Sequence, residues 1–328
     1  MDEFRLENLK RWQQRYVDQR KYAGSSLLIK QGGVEKYFHS AGLRNLEEKL
    51  DFTRDTLARI YSMTKPVTSV ALMMLAEKGL FHLDAPVSDF IPEFSQMQAL
   101  VPGAISLDQT EPARAPTLHE LLTHTGGLSY PFNPGLLPQA MDREQLMFKP
   151  NQGDLGKMVA HLASYPLAFQ PGSRWEYSVG IDVLGRVIEV VSGQTLAEFF
   201  EAEIFQPLGM RETGFRVPRQ AGNRFASLYT PLAGDAMALN IAKTGVETLR
   251  LTDLYGGSPF ETADMMSGGG GLVGTIDDYM LFVEMLRQRG RTKDGFILSP
   301  KTIDFMMQLH RWDRRALLNN PWKEWALA

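Results

Sequence analysis

The sequence predicts an α/β protein of the α+β kind, antiparallel strands combined with many helices. Three observations lead there. The segment SSLLIKQGGVEKYFHSAG carries two strand-like runs flanking Gln31-Gly32-Gly33, a strong hairpin signal. Downstream, SMTKPVTSVALMMLAEKG reads as a helix that is apolar on nearly every side. A stretch rich in turns, prolines and short helical patterns, about residues 83–240, then separates these elements from SGGGGLVG and the helix TIDDYMLFVEMLRQRG.

Each element can be justified in order. MDEFRLENLKRWQQRYVDQRKYAG is a charged amphipathic helix, and the hairpin follows it. In the SMTK helix, Ser62 is a plausible N-cap, Pro66 falls in the first turn where proline is tolerated, and Gly79 supplies the stop. Val67, Val70, Ala71, Met74 and Leu75 make its apolar face, and Leu72 and Met73 fill the rest, which puts the helix at the centre of the protein. TLHELLTHTGGL is expected to be a short helix ending at Gly126-Gly127. In GIDVLGRVIEVVSGQ, residues Ile181, Leu184, Val187, Ile188 and Val191 share one face and Gly193 lies past the end. TLAEFFEAEIFQPLGM starts another helix, expected to break before Pro207. Thr275 and Asp278 have capping-box-like spacing, and Asp277 and Asp278 belong to a helix start. Boundaries fall near residues 82, 240 and 308: helix, hairpin and SMTK helix over 1–82, the stretch dense in turns, prolines and short helices over 83–240, the glycine-rich segment and its helix over 241–308, and a tail over 309–328.

The 328 residues, 44% hydrophobic and 22% charged, suffice for a sizeable core. A net charge of −3 offers no global basic surface for nucleic acid. The chain has no cysteine, so disulfides, thiolate catalysis and cysteine-ligated zinc are excluded. The first helix lacks an apolar h-region and no apolar run is long enough to span a bilayer, so the expectation is a cytoplasmic protein without membrane partners.

The chemistry centres on Ser62-Met63-Thr64-Lys65, the only S-x-x-K of the chain. Residues at i and i+3 share a helix face, so a serine nucleophile and a lysine can meet there. A hydroxyl needs a neighbour to take its proton, and a lysine among apolar residues can help. At the start of a buried helix, Ser62 also lies at the positive end of the dipole. The bland alternative is a capping serine and a snorkelling lysine.

Taken together, SMTK, TLHELLTHTGGL, PGSRWEYSVGIDVLGRVIEVVSGQ, IFQPLGM and SGGGGLVGTIDDY resemble the serine β-lactamase and penicillin-binding-protein superfamily. The resemblance runs from about residue 22 to about residue 309, and the class C-like branch with the family VIII carboxylesterases is the best match. It implies the β-lactamase/transpeptidase-like fold: an antiparallel sheet flanked by helices, built from both chain ends, with a mostly helical domain inserted. It also implies roles: Ser62 as acylated nucleophile, Lys65 as its partner, and Tyr177 of Glu176-Tyr177-Ser178 as the base that works with the lysine and then activates water. A phenol, with an ordinary pKa near 10, is a useful base only beside a cation that favours phenolate. No cofactor and no metal are implied, and the partner is a small-molecule ester.

Two departures stand out. The lactamase pattern Tyr-x-Asn is absent, with Val179 in place of the asparagine that holds a lactam amide, which favours simple esters. The family's third motif, Lys-Thr-Gly or Trp-Gly-Gly on a strand that lends an oxyanion-hole N–H, is not found downstream of the glycine-rich segment. Lys243-Thr244-Gly245 precedes that segment and reads as coincidence, while the tail LHRWDRRALLNNPWKEWALA does not resemble the family, so the chain reads as shortened at its C-terminus. Losing one oxyanion donor typically costs about 10²–10³ in rate.

Other matches are weak. Gly269-Gly270-Gly271-Leu272-Val273-Gly274 fits G-x-G-x-x-G without the dinucleotide fold around it. His119-Glu120 with His124 is one residue too long for H-E-x-x-H, and no G-x-S-x-G occurs. His39, His82, His161 and His310 have no carboxylate constellation. Three readings therefore remain: a serine carboxylesterase with weak β-lactamase activity, an acyltransferase in which an alcohol replaces water, or an inactive shortened homologue serving in binding.

Overall fold

In the computed structural model, which describes residues 3–231 and 249–308, the hairpin forms where alternation and glycine placed it. After helix α1 (Glu3–Asp18), strand β1 (Gly24–Gln31) pairs antiparallel with β2 (Val34–Asn45), Gln31 opposite Val34. Gly32 and Gly33 make the turn at φ 60° and 83°, left-handed values that a tight hairpin turn of this hand requires. A short strand β3 (Leu50–Asp51) extends the sheet from β2, and β4 (Ala58–Arg59) follows.

Helix α2 (Thr64–Glu77) is buried along most of its length, with Val67, Val70, Ala71 and Leu72 fully enclosed. Its start differs from expectation. Ser62 is not the N-cap: it lies in a single 3-10 turn, Tyr61–Met63, and Met63 caps the helix without a side-chain hydrogen bond. Tyr61 holds φ 42°, uncommon for a residue with a side chain. The hydroxyl of Ser62 is thus spared from capping. Gly79, at φ 74°, ends the helix as expected and donates its N–H to Ala76 O.

Strands β5 (Gln98–Leu100) and β6 (Thr110–Pro112) form a small antiparallel pair before α3 (Leu118–Leu122), which opens on a capping box between Thr117 and Glu120. This helix stops earlier than Gly126-Gly127. Thr123 Oγ1 donates to His119 O, His124 turns to φ 57°, and Thr125 N–H reaches back to Glu120 O at 2.7 Å. Helices α4 (Leu136–Arg143) and α5 (Leu155–Ala163) come next. In α6 (Gly180–Ser192) the face of Ile181, Leu184, Val187 and Ile188 is buried as the periodicity predicts, and Gly193 at φ 71° caps the end. Helix α7 (Leu196–Phe200) does not break before Pro207. It widens into a π-helical turn, Glu201–Phe205, and runs on as α8 (Gln206–Leu208), the wider turn taking up the proline.

Strands β7 (Leu228–Pro231) and β8 (Leu249–Asp253) pair antiparallel, and β9 (Val273–Gly274) pairs with β4. Thr275 caps α9 (Ile276–Arg287) by accepting from Asp278 N–H, but the Asp278 carboxylate does not complete the box, since it accepts from Glu212 N–H and Thr213 Oγ1 instead. Helix α10 (Pro300–Met306) ends the described chain.

Contacts divide the protein into two units. One comprises Met1–Ile60, Leu208–Ala263 and Leu272–Arg287; it holds the hairpin sheet, the β4–β9 and β7–β8 pairs, α1 and α9. The other comprises Tyr61–Pro207, Asp264–Gly271 and Gln288–Ala328, and its core is α2 against α6 with α3, α5 and α7 around them. The sequence division at residues 82, 240 and 308 stays a proposal. Lys243-Thr244-Gly245, His310 and the 309–328 tail lie outside the described residues. Among the described residues no helix is long and apolar enough to cross a membrane.

Candidate active site

The second unit brings Ser62, Lys65 and Tyr177 together. Ser62 is exposed, and its Oγ accepts from Tyr177 Oη at 2.6 Å and from Lys65 Nζ at 3.3 Å. The spacing of Ser62 and Lys65 does the first part, placing the lysine on the opening turn of α2 above the serine. Lys65 is only 9% exposed, and its ammonium also donates to Gly269 O at 2.7 Å and Tyr130 Oη at 3.0 Å. Three N–H bonds thus meet three oxygens, leaving the cation fixed. Nζ also lies 4.8 Å from the Tyr177 ring centroid and 5.2 Å from that of Tyr130, within cation–π range of both.

Tyr177 is held from its backbone and around its ring. Its carbonyl accepts from Asn133 Nδ2 at 2.8 Å, Glu176 N–H donates to His124 O at 2.9 Å, and Ser129 Oγ donates to the Glu176 carboxylate. The ring centroid stands 4.9 Å from His124, 5.1 Å from Tyr130 and 6.4 Å from both Phe132 and Trp175. Val179, the residue in question for lactam binding, is fully buried and presents no polar group.

His124 Nδ1 accepts from Ser178 N–H at 3.2 Å, so its proton belongs on Nε2. Burial of the ring, with Lys65 adding to it, depresses its pKa from 6.5 to about 3. The unfolded chain therefore takes up this proton between those values while the folded chain does not. The stability tied to the neutral ring is complete above about pH 6.5 and is lost as pH falls toward 3. Denaturant unfolding between pH 7 and pH 4.5 should show wild type losing stability more steeply than His124→Gln, by up to about one proton of slope. Equal slopes would place the His124 proton elsewhere.

Two groups at this site escaped sequence reasoning. Tyr130 is 8% exposed, and burial pushes its phenol well above 10, with Asp182 and Tyr177 adding to the rise. It stays a neutral phenol against Lys65, and only its nearness to the HTGG turn could have flagged it. Asp182 is 1% exposed on α6; its Oδ1 accepts from Ser267 Oγ at 2.5 Å and Gly269 N–H at 2.9 Å. Here a signal existed: an acid beside the apolar face of a helix whose neighbours are all buried. Of the other described histidines, His39 Nδ1 meets Gln13 Oε1 at 3.1 Å and the His161 ring lies 5.8 Å from that of Tyr165. Among the described residues no group of three or more histidine, cysteine or acidic side chains could hold a metal ion. The arrangement is an open hydroxyl facing a phenol and a fixed ammonium, a set suited to transferring a proton off the serine.

The family model described as beta-lactamase matches residues 9–316. Protein Rv1367c of Mycobacterium tuberculosis (strain ATCC 25618 / H37Rv) is 35% identical over 81% of this chain and 62% of its own length. Esterase EstB of Burkholderia gladioli is 34% identical over 87% of this chain and 69% of its own. The chain thus spans about three-fifths of the first of these curated relatives and somewhat more of the second. Among solved structures, EstCE1, a hydrolase with promiscuous acyltransferase activity, superposes with a TM-score of 0.75 at 29% identity, over 95% of this chain and 79% of that one.

Proposed function

The chain belongs to the β-lactamase family, and on that premise we propose that it is a serine hydrolase cleaving small carboxylic esters through an acyl-enzyme on Ser62. The observation that carries this reading is the exposed Ser62 Oγ, 2.6 Å from Tyr177 Oη and 3.3 Å from Lys65 Nζ.

In the reacting state Tyr177 is a phenolate and Lys65 the ammonium that stabilises its charge. Ser62 Oγ attacks the ester carbonyl carbon while its proton passes to Tyr177 Oη. The tetrahedral intermediate collapses, the C–O bond to the alcohol breaks, and Tyr177 returns the proton to the leaving alkoxide. Water then gives a proton to Tyr177 and attacks the acyl carbon, and Ser62 leaves with that proton, so ester and water become acid and alcohol. Tyr130 is the poorer base, because burial holds its proton and its hydroxyl faces Lys65. The lack of a polar group at Val179 and the esterase named among the relatives support esters over lactams.

Hydrolysis of p-nitrophenyl butyrate set against nitrocefin tests the substrate order: the ester should turn over faster, and faster nitrocefin turnover would reverse it. The promiscuous acyltransferase activity of EstCE1 supports a second outcome at the same acyl-enzyme. Adding a small alcohol to the ester assay should divert part of the butyryl group into the new ester; butyrate alone would leave water as the acceptor.

A further inference from the structure

Asp182 is the most enclosed charged group near Ser62, and the mechanism above gives it no role. It projects from the first turn of α6 into contact with the loop Ser267-Gly268-Gly269. Both hydrogen bonds from that loop end on the same oxygen, Oδ1. The loop lies so close that a Cβ on Gly269 would overlap the carboxylate, 2.9 Å from its Cγ. Gly268 is held from the other side, where Thr68 Oγ1 of α2 donates to its carbonyl at 2.7 Å. The next carbonyl, Gly269 O, is the 2.7 Å acceptor of Lys65. A short chain of contacts therefore runs from Asp182 through the backbone of one residue, Gly269, to Lys65 and on to Ser62.

We propose that Asp182 is a positioning residue of the Ser62 centre: its carboxylate fixes the backbone of Gly269, whose carbonyl anchors Lys65, and its negative charge holds Lys65 as the ammonium. This inference rests on the acyl-transfer reading above. A lysine that is nearly enclosed tends to lose its proton, since burial penalises the charged form. A neutral amine could not stabilise a phenolate at Tyr177. The titratable groups facing Lys65 are Tyr130 and His124 from the 124–130 segment, Tyr177 from the segment before α6, and Asp182 from α6 itself. Of these Asp182 is the carboxylate. Its pKa is raised above the usual carboxylate value by burial, and Lys65, Ser267 and the Gly269 N–H offset part of that rise.

Asp182→Asn separates charge from shape. The asparagine Oδ1 can keep both loop hydrogen bonds, so the variant should fold with a melting temperature no lower than wild type. Its alkaline limb of kcat/KM for p-nitrophenyl butyrate should move to lower pH by about one unit, because Lys65 loses its proton more easily. Labelling of Ser62 by a fluorophosphonate should follow the same displaced limb. Ser267→Ala, which removes a hydrogen bond and no charge, should leave the limb in place. A folded Asp182→Asn with an unmoved limb overturns the proposal, since a structural role would not move it. Lysine ¹³Cε NMR of wild type gives an answer even if the variant fails to fold: Lys65 should read as ammonium across the active pH range, and a neutral amine at the optimum sinks the idea. A wild type that neither labels nor turns over ester sinks the hydrolase reading and this inference together, whereas a labelling wild type beside an unmoved Asp182→Asn sinks this inference alone.

Discussion

Ser62→Ala is expected to lose p-nitrophenyl butyrate hydrolysis by at least about 10³-fold and to lose fluorophosphonate labelling entirely, because no other hydroxyl takes the nucleophile's place. The fold should survive. Ser62 is exposed and lies in the 3-10 turn ahead of α2, where it caps nothing, so alanine removes no helix-capping bond. What the variant strips away is the acceptor that Tyr177 and Lys65 share. Intact-protein mass spectrometry after probe treatment gives the reading: one adduct on wild type, none on the variant. If wild type carries no adduct, or if Ser62→Ala carries the same one, Ser62 is not the nucleophile and the serine-hydrolase reading falls.

Tyr177→Phe is expected to lower kcat/KM by about 10²–10⁴, the usual worth of a general acid–base group. The substitution removes one oxygen and keeps the ring that packs with His124, Tyr130, Phe132 and Trp175, so the melting temperature should change little. The backbone carbonyl that Asn133 holds is untouched as well. Tyr130→Phe makes the informative partner. It deletes an acceptor of Lys65 that does not itself take the serine proton in the proposed cycle, so its rate loss should be the smaller of the two. A larger loss at Tyr130 than at Tyr177 would exchange their roles. Both comparisons need only steady-state kinetics and a thermal melt.

Much of this architecture was legible in the chain because it depends on short-range rules. Gln31-Gly32-Gly33 forces a hairpin since glycines accept the left-handed backbone that the turn needs. The faces of α2 and α6 follow from helical periodicity, and Gly79 and Gly193 end them through the same left-handed freedom. Pairing Ser62 with Lys65 needs only one helical turn. Local rules were also where expectation and structure parted. Ser62 had the composition of an N-cap, but the Tyr61–Met63 turn moved it outside the helix. Pro207 looked like a breaker, but the π-helical turn ahead of it absorbed the missing donor.

The sequence by itself determined the nucleophile's neighbourhood, the helices that carry it and, through ordered motifs, the family and the candidate Tyr177. It could not determine what surrounds the lysine. Lys65 and the Gly269 carbonyl are 204 positions apart in sequence, Asp182 and Gly269 are 87 apart, and Lys65 and Tyr130 are 65 apart. No periodicity links such positions, because these contacts arise only when α2 and α6 pack and the 267–269 loop lies against both. Packing also decided which tyrosine is open to the serine and which is sealed, and which acid beside an apolar face is buried. Burial moves His124, Tyr130 and Asp182 away from their ordinary pKa values, and burial is a property of the folded chain: a residue's letter gives its chemistry, and only its surroundings decide whether that chemistry is used.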